Sequence, residues 1–134
     1  MMRNFAVAKK KADFESIERY DRLTGDGNPI HTDRAFAAAT EMGGIIAHGT
    51  MSLSLIWHAI ELAHGVQGIE GSTLAVRFVR PVREDEVVTA GGASASQGGG
   101  VYDVYARNQR SENVIEGTWT PAVHEGASRS SATC

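Results

Sequence analysis

Thr50-Met51-Ser52-Leu53-Ser54-Leu55-Ile56-Trp57-His58-Ala59-Ile60-Glu61-Leu62-Ala63 is the longest helical pattern in the chain. At helical spacing its apolar side chains, from Met51 and Leu53 through Ile56, Trp57, Ala59 and Ile60 to Leu62, spread over roughly two-thirds of the circumference. Ser54, His58 and Glu61 leave only a narrow polar stripe. A helix this apolar cannot lie on a surface, so other segments must be wrapped round it. Gly65 is its expected C-terminal stop.

The sequence that follows supplies the wrapping. Leu74, Val76 and Phe78 alternate with Ala75, Arg77 and Val79, and Pro81 closes the run. A second strand begins at Val87-Val88-Thr89 and is expected to reach Ser96, with Gly98-Gly99-Gly100 as a hairpin turn. Further strands are expected over residues 101–107 and 114–120, joined by a polar segment around residues 109–113. Consecutive strands with such short links favour an antiparallel sheet. Trp57, Phe78 and Trp119 are expected in the core rather than in the lining of a pocket, with both roles open to some of them.

Upstream of the apolar helix, residues 3–8 suit an edge strand, with Lys9-Lys10-Lys11 as a solvated patch beyond it. Asp13 can cap a helix in which Phe14, Ile17 and Tyr20 share one face, ending at Gly25. Thr32 can cap a short helix over residues 33–40, anchored by Phe36. Ile45-Ile46-Ala47 reads as a buried extended piece leading to His48-Gly49. The fold class is therefore α+β, a curved antiparallel sheet packed round one long apolar helix.

At 134 residues, 42% of them hydrophobic, the chain suits one domain, set at residues 1–124, with residues 125–134 as a small, polar, flexible tail. Thirteen Lys and Arg against 16 Asp and Glu give a net charge of -3, which argues against nucleic acid as a partner. The single cysteine, Cys134, fits a reducing compartment. With no apolar run suited to a signal peptide or a membrane span, the expected location is the cytoplasm. No Cys/His cluster has metal-ligand spacing, and no Gly-rich phosphate loop joins a strand to a helix, so neither a metal nor a nucleotide cofactor is implied.

The chemistry concentrates in Gly25-Asp26-Gly27-Asn28-Pro29-Ile30-His31, where a carboxylate and an imidazole stand five positions apart. Gly27 permits positive φ, and the proline after Asn28 pushes that residue towards extended geometry. The resulting bend can turn Asp26 and His31 towards one point and hold a water between them. The same residues are also ordinary turn chemistry.

A resemblance separates the two readings. Tyr20-Asp21-Arg22-Leu23-Thr24 followed by this loop, with Ala37 six residues after His31, resembles the signature of the (R)-specific (type 2) enoyl-CoA hydratases of the MaoC-like hot-dog family. Ile46-Ala47-His48-Gly49 resembles that family's second motif. The resemblance covers about residues 13–120 and implies a hot-dog fold and a homodimer whose sheets join edge to edge. It also implies hydration of a trans-2-enoyl thioester of coenzyme A to the (R)-3-hydroxyacyl product, with coenzyme A held noncovalently as part of the substrate. Asp26 and His31 would activate the water and manage the proton delivered to C2. The backbone N–H of Gly49, 18 positions after His31, would hold the thioester oxygen. Asn28 would shape the loop, with water contact as a lesser role, and His48 would be structural. One departure is Glu84, which stands before Asp85 where related proteins usually carry glycine.

Three other readings stay open. The same residues would serve a dehydratase or hydratase of a branched, dicarboxylic or carrier-protein-bound acyl thioester. Against a thioesterase stands the first acidic residue after Gly49, Glu61, about three turns along the helix. A catalytically silent acyl-thioester binding module is the last. His58 and His64 are expected on the polar side of the long helix, His124 carries no signal, and Arg77, Arg80 and Arg83 are candidates to reach coenzyme A phosphates.

Overall fold

The structure, a computed structural model, describes Phe5 and residues 7–95 and 99–122. The tail at 125–134, His124, Ser96, Gly98 and half of the residues 3–8 segment lie outside the described residues.

The elements in order are β1 (Ala8–Lys11), α1 (Phe14–Thr24), α2 (Arg34–Ala38), α3 (Gly49–Ile69), β2 (Thr73–Phe78), β3 (Val87–Ser94), β4 (Tyr102–Arg107) and β5 (Asn113–Thr120). The strands form one antiparallel sheet in the order β1-β3-β4-β5-β2. Helix α3 packs across β1, β3 and β4 and buries Ile56, Ala59 and Ile60 completely. This is the expected α+β architecture, a long helix against a five-stranded sheet. Among the described residues no helix is long and apolar enough to cross a membrane.

Local chemistry sets most of the boundaries. The Asp13 side chain accepts the Ser16 N–H at 2.8 Å, and the Gly25 N–H closes α1 on the Asp21 carbonyl. Gly65, with φ 77 and ψ 167, does break the helical geometry, but the chain resumes helix beyond it to Ile69. Gly117 lies so close to β2 that a Cβ there would stand 2.0 Å from the Ala75 carbonyl oxygen, so only glycine fits.

Five local expectations are corrected. The first strand is formed by Ala8 and the three lysines rather than preceding them: their backbone pairs with residues 87–90 while the side chains face outward. Asp33, not Thr32, caps α2, accepting the Phe36 N–H at 3.0 Å. The fully buried anchor of that helix is Ala37, and Phe36 is 47% exposed, because a helix this short can turn only one narrow face inward. Phe78 is 52% exposed at the end of edge strand β2, whereas Trp119 is fully buried and Trp57 half-buried. His64 packs against Phe5, Tyr102 and Trp119, with ring centroids 4.7–5.2 Å away, instead of facing water.

At the start of β3, Glu86 is buried yet charged. Burial alone would raise its pKa, but the Arg83 N–H at 2.8 Å and the Arg110 guanidinium at 2.6 Å outweigh that and hold it below the ordinary glutamate value. A carboxylate with a lowered folded-state pKa contributes stability above its unfolded pKa and loses it as pH falls through the folded value. Glu86→Gln should therefore cost about 1–3 kcal/mol at neutral pH. In urea denaturation the gap between parent and variant should close as the pH is taken below the ordinary glutamate range.

Candidate active site

The loop after α1 is built by two successive side-chain turns. The Asp26 carboxylate accepts the Asn28 N–H at 3.1 Å, and the Asn28 side-chain oxygen accepts the Ile30 N–H at 3.1 Å. Asn28 thus shapes the loop, in keeping with the role expected for it. The chain then delivers His31, only 8% exposed, against the extended 45–47 segment. There His31 Nδ1 lies 2.8 Å from the Ile46 carbonyl oxygen. A carbonyl can only accept, so Nδ1 carries the proton and Nε2 of the neutral ring is the basic nitrogen.

His48, 3% exposed, lies directly beside it. The two imidazoles stack at 3.8 Å between centroids with 24° between planes. His48 Nε2–H donates to the Asp21 carboxylate at 3.0 Å, and the Tyr20 ring meets the His48 ring edge-on at 5.0 Å. Tyr20 O–H in turn donates to Thr50 Oγ1 at 2.8 Å, so the last turns of α1 are tied to the first turn of α3.

Side-chain ligand atoms of Asp26, His31 and His48 all lie within 4.8 Å of one another. The expected pair therefore does converge. The set resembles a metal triad in composition, but the lone pairs of stacked imidazoles lie in two nearly parallel planes 3.8 Å apart between centroids, which does not aim both at one ion. The arrangement suits proton transfer better than metal ligation.

Gly49 opens α3. Its predecessor His48 makes no side-chain cap among the described residues, which leaves the first amides of the helix available to a ligand. Gly49 and His31 border the same pocket of about 350 Å³, walled by Ser52, Phe78, Val82 and Ile115. A Cβ on Gly49 would lie 2.9 Å from Phe78 Cε2, so the ring rests on the bare backbone. Of the three arginines singled out, Arg80 borders the pocket and donates to the Asn113 carbonyl, Arg77 is paired with Glu116, and Arg83 donates to the Met42 carbonyl.

Asp26, His31 and Gly49 could be picked out of the sequence, which also leaves a pocket role open to Phe78; the Asp21–His48 link could not be read there. The link's only local sign is that His48 precedes the apolar helix, which says nothing about a ring partner 27 residues away.

Residues 5–112 match the family model described as "MaoC like domain". A 3-hydroxybutyryl-CoA dehydratase from Methylorubrum extorquens is 32% identical over 82 residues, 61% of this chain and 52% of the relative. The chain thus spans about half the length of that curated relative. Among solved structures, a protein from Archaeoglobus fulgidus is 27% identical with a TM-score of 0.73, over 91% of this chain and 77% of that one. The (R)-hydratase from A. caviae involved in PHA biosynthesis has the same fold, with 23% identity and a TM-score of 0.72 over 88% of this chain and 93% of that one.

Because Phe78 is half-exposed and its ring can swing outward, Gly49→Ala should fold, with a stability change within about 1 kcal/mol by thermal denaturation. A crystal structure of the variant should show the Phe78 ring displaced from its seat on residue 49.

Proposed function

Since the chain belongs to the MaoC-like domain family, we propose that it is a hydro-lyase of acyl thioesters, adding water to trans-2-enoyl-CoA to give (R)-3-hydroxyacyl-CoA and running the dehydration in reverse. The observation that carries this reading is that Asp26 comes within 4.8 Å of His31, which borders one pocket together with Gly49. The relative named as a 3-hydroxybutyryl-CoA dehydratase supports a coenzyme A thioester as substrate. The (R) configuration rests on the loop motif.

In this mechanism the enoyl chain enters the apolar pocket, and the thioester oxygen meets the Gly49 N–H at the positive end of α3. Asp26 accepts one hydrogen of the water and aims its oxygen at C3. His31 Nε2 takes the other proton as the C3–O bond forms, and the electron pair of the double bond moves towards C2 and the thioester oxygen. The protonated His31 then returns its proton to C2. One hydroxyl has been added to C3 and one hydrogen to C2, and the side chains end as they began. A single well-aimed donor at the thioester oxygen is worth on the order of 3 kcal/mol, and the acid–base pair about 10²–10⁴ in rate. A homodimer joined edge to edge, in the cytoplasm, belongs to the same proposal.

The test is hydration of a series of trans-2-enoyl-CoA thioesters, from crotonyl upward with a branched and a dicarboxylic member, followed by chiral analysis of the product. The (R)-3-hydroxyacyl product is expected, and Asp26→Asn and His31→Ala should each lower kcat by at least about 10²-fold. Release of free coenzyme A without hydration would mean hydrolysis, and hydration undiminished in both variants would falsify the assignment of the pair.

A further inference from the structure

We propose that Asp21 and His48 are positioning residues for His31: the Asp21 carboxylate fixes the His48 ring, and that ring fixes the plane in which His31 presents Nε2. The inference rests on the hydration reading and adds two residues to it.

His31 is tethered by one hydrogen bond, from Nδ1–H to the Ile46 carbonyl. One such bond leaves an imidazole free to rock about the line joining it to its acceptor. The face of His48, 3.8 Å away and nearly parallel, removes that freedom. His48 is itself held at Nε2 by Asp21, while its Nδ1 is buried with no partner among the described residues. No second hydrogen bond therefore holds the ring, and its orientation depends on Asp21, with Tyr20 bracing it edge-on. The contact of the Asp21 side chain towards the site is the one to His48, so its carboxylate acts through that ring. Asp21 also sits one turn before the Asp26 loop, so the segment carrying one member of the pair steadies the other. Asp21 itself borders no part of the pocket, so loss of such alignment slows chemistry more than it weakens binding.

Asp21→Ala removes the acceptor; Asp21→Asn keeps one in its amide oxygen. With folding checked by thermal denaturation, Asp21→Ala should lower kcat for enoyl-CoA hydration roughly tenfold with KM within about twofold, and Asp21→Asn should restore most of it. In a His31→Gln background Asp21→Ala should cost nothing further, since it acts through His31. An equal loss in both backgrounds, or an unchanged kcat, overturns the proposal. Should Asp21→Ala not fold, His48→Phe keeps a ring without its donor and faces the same criteria. Histidine-ring NMR spectra of the substrate-free protein separate this proposal from the hydration reading. If the parent hydrates nothing, that reading fails, yet the His31 ring protons should still shift when Asp21 becomes Ala. Unmoved His31 resonances would sink the positioning role whatever the activity.

Discussion

The fold depends on one constraint: a helix apolar over most of its circumference has to be kept from water. Five antiparallel strands do this on one side of α3, where Ile56, Ala59 and Ile60 are fully buried. At about 25 cal/mol per Å² of apolar surface, burying each large side chain such as Ile56 or Ile60 is worth roughly 1.5–3 kcal/mol. The covering is one-sided, however. Leu55 and Trp57 are half-buried and Leu62 is exposed, so a single sheet does not reach the whole apolar surface that the sequence pattern displays.

Fixing α3 against the sheet also fixes its N-terminus, and the site is assembled there. Two features of unlike origin meet at that point. The amides of the first turn exist because any helix leaves them unpaired; the imidazoles arrive because a glycine-rich loop and an extended segment bring them in. The Ile46 carbonyl is the joint between them, since it accepts from His31 and lies three residues before Gly49. A change in how α3 sits on the sheet would thus move the helix amides and the His31 ring together, keeping their relation.

What could be read from the sequence was what local chemistry decides. Asp13 as a cap, Gly25 as a stop and the strand periodicity after residue 73 all rest on contacts within a few residues, and the structure bears them out. The convergence of Asp26 and His31 was legible for the same reason, since one short loop carries both. The misreadings involve partners distant in the chain. Lys9-Lys10-Lys11 looks like a solvated patch until β3 supplies eighty residues later the ladder that makes it a strand, whose outward side chains remain in water. His48 reads as structural, but its ring partners Asp21 and His31 lie too far along the chain for any local pattern to name them. Phe36 lost its expected place to Ala37 because apolarity alone does not say which side of a five-residue helix faces inward.

The departure at Glu84 follows the same logic and resolves in physical terms. A glycine before Asp85 would be needed if the tight turn placed positive φ there, but here it falls on Asp85 itself, at φ 71. Aspartate tolerates the left-handed region better than most side chains, and its N–H is held by the Ala12 carbonyl at 2.7 Å. Glu84 is then free to carry a side chain. It pairs with Arg34 through two hydrogen bonds of 2.5 and 2.9 Å, and the Arg34 guanidinium lies 4.4 Å from the centroid of the Phe14 ring. Arg34 opens α2, the helix that directly follows the His31 loop. The substitution therefore links that loop's far end to the entrance of β3 and to α1. An exposed ion pair of this kind contributes little to stability, so its larger effect is on where α2 sits. At this turn Glu84 thus serves as a tether for the segment leading out of the site.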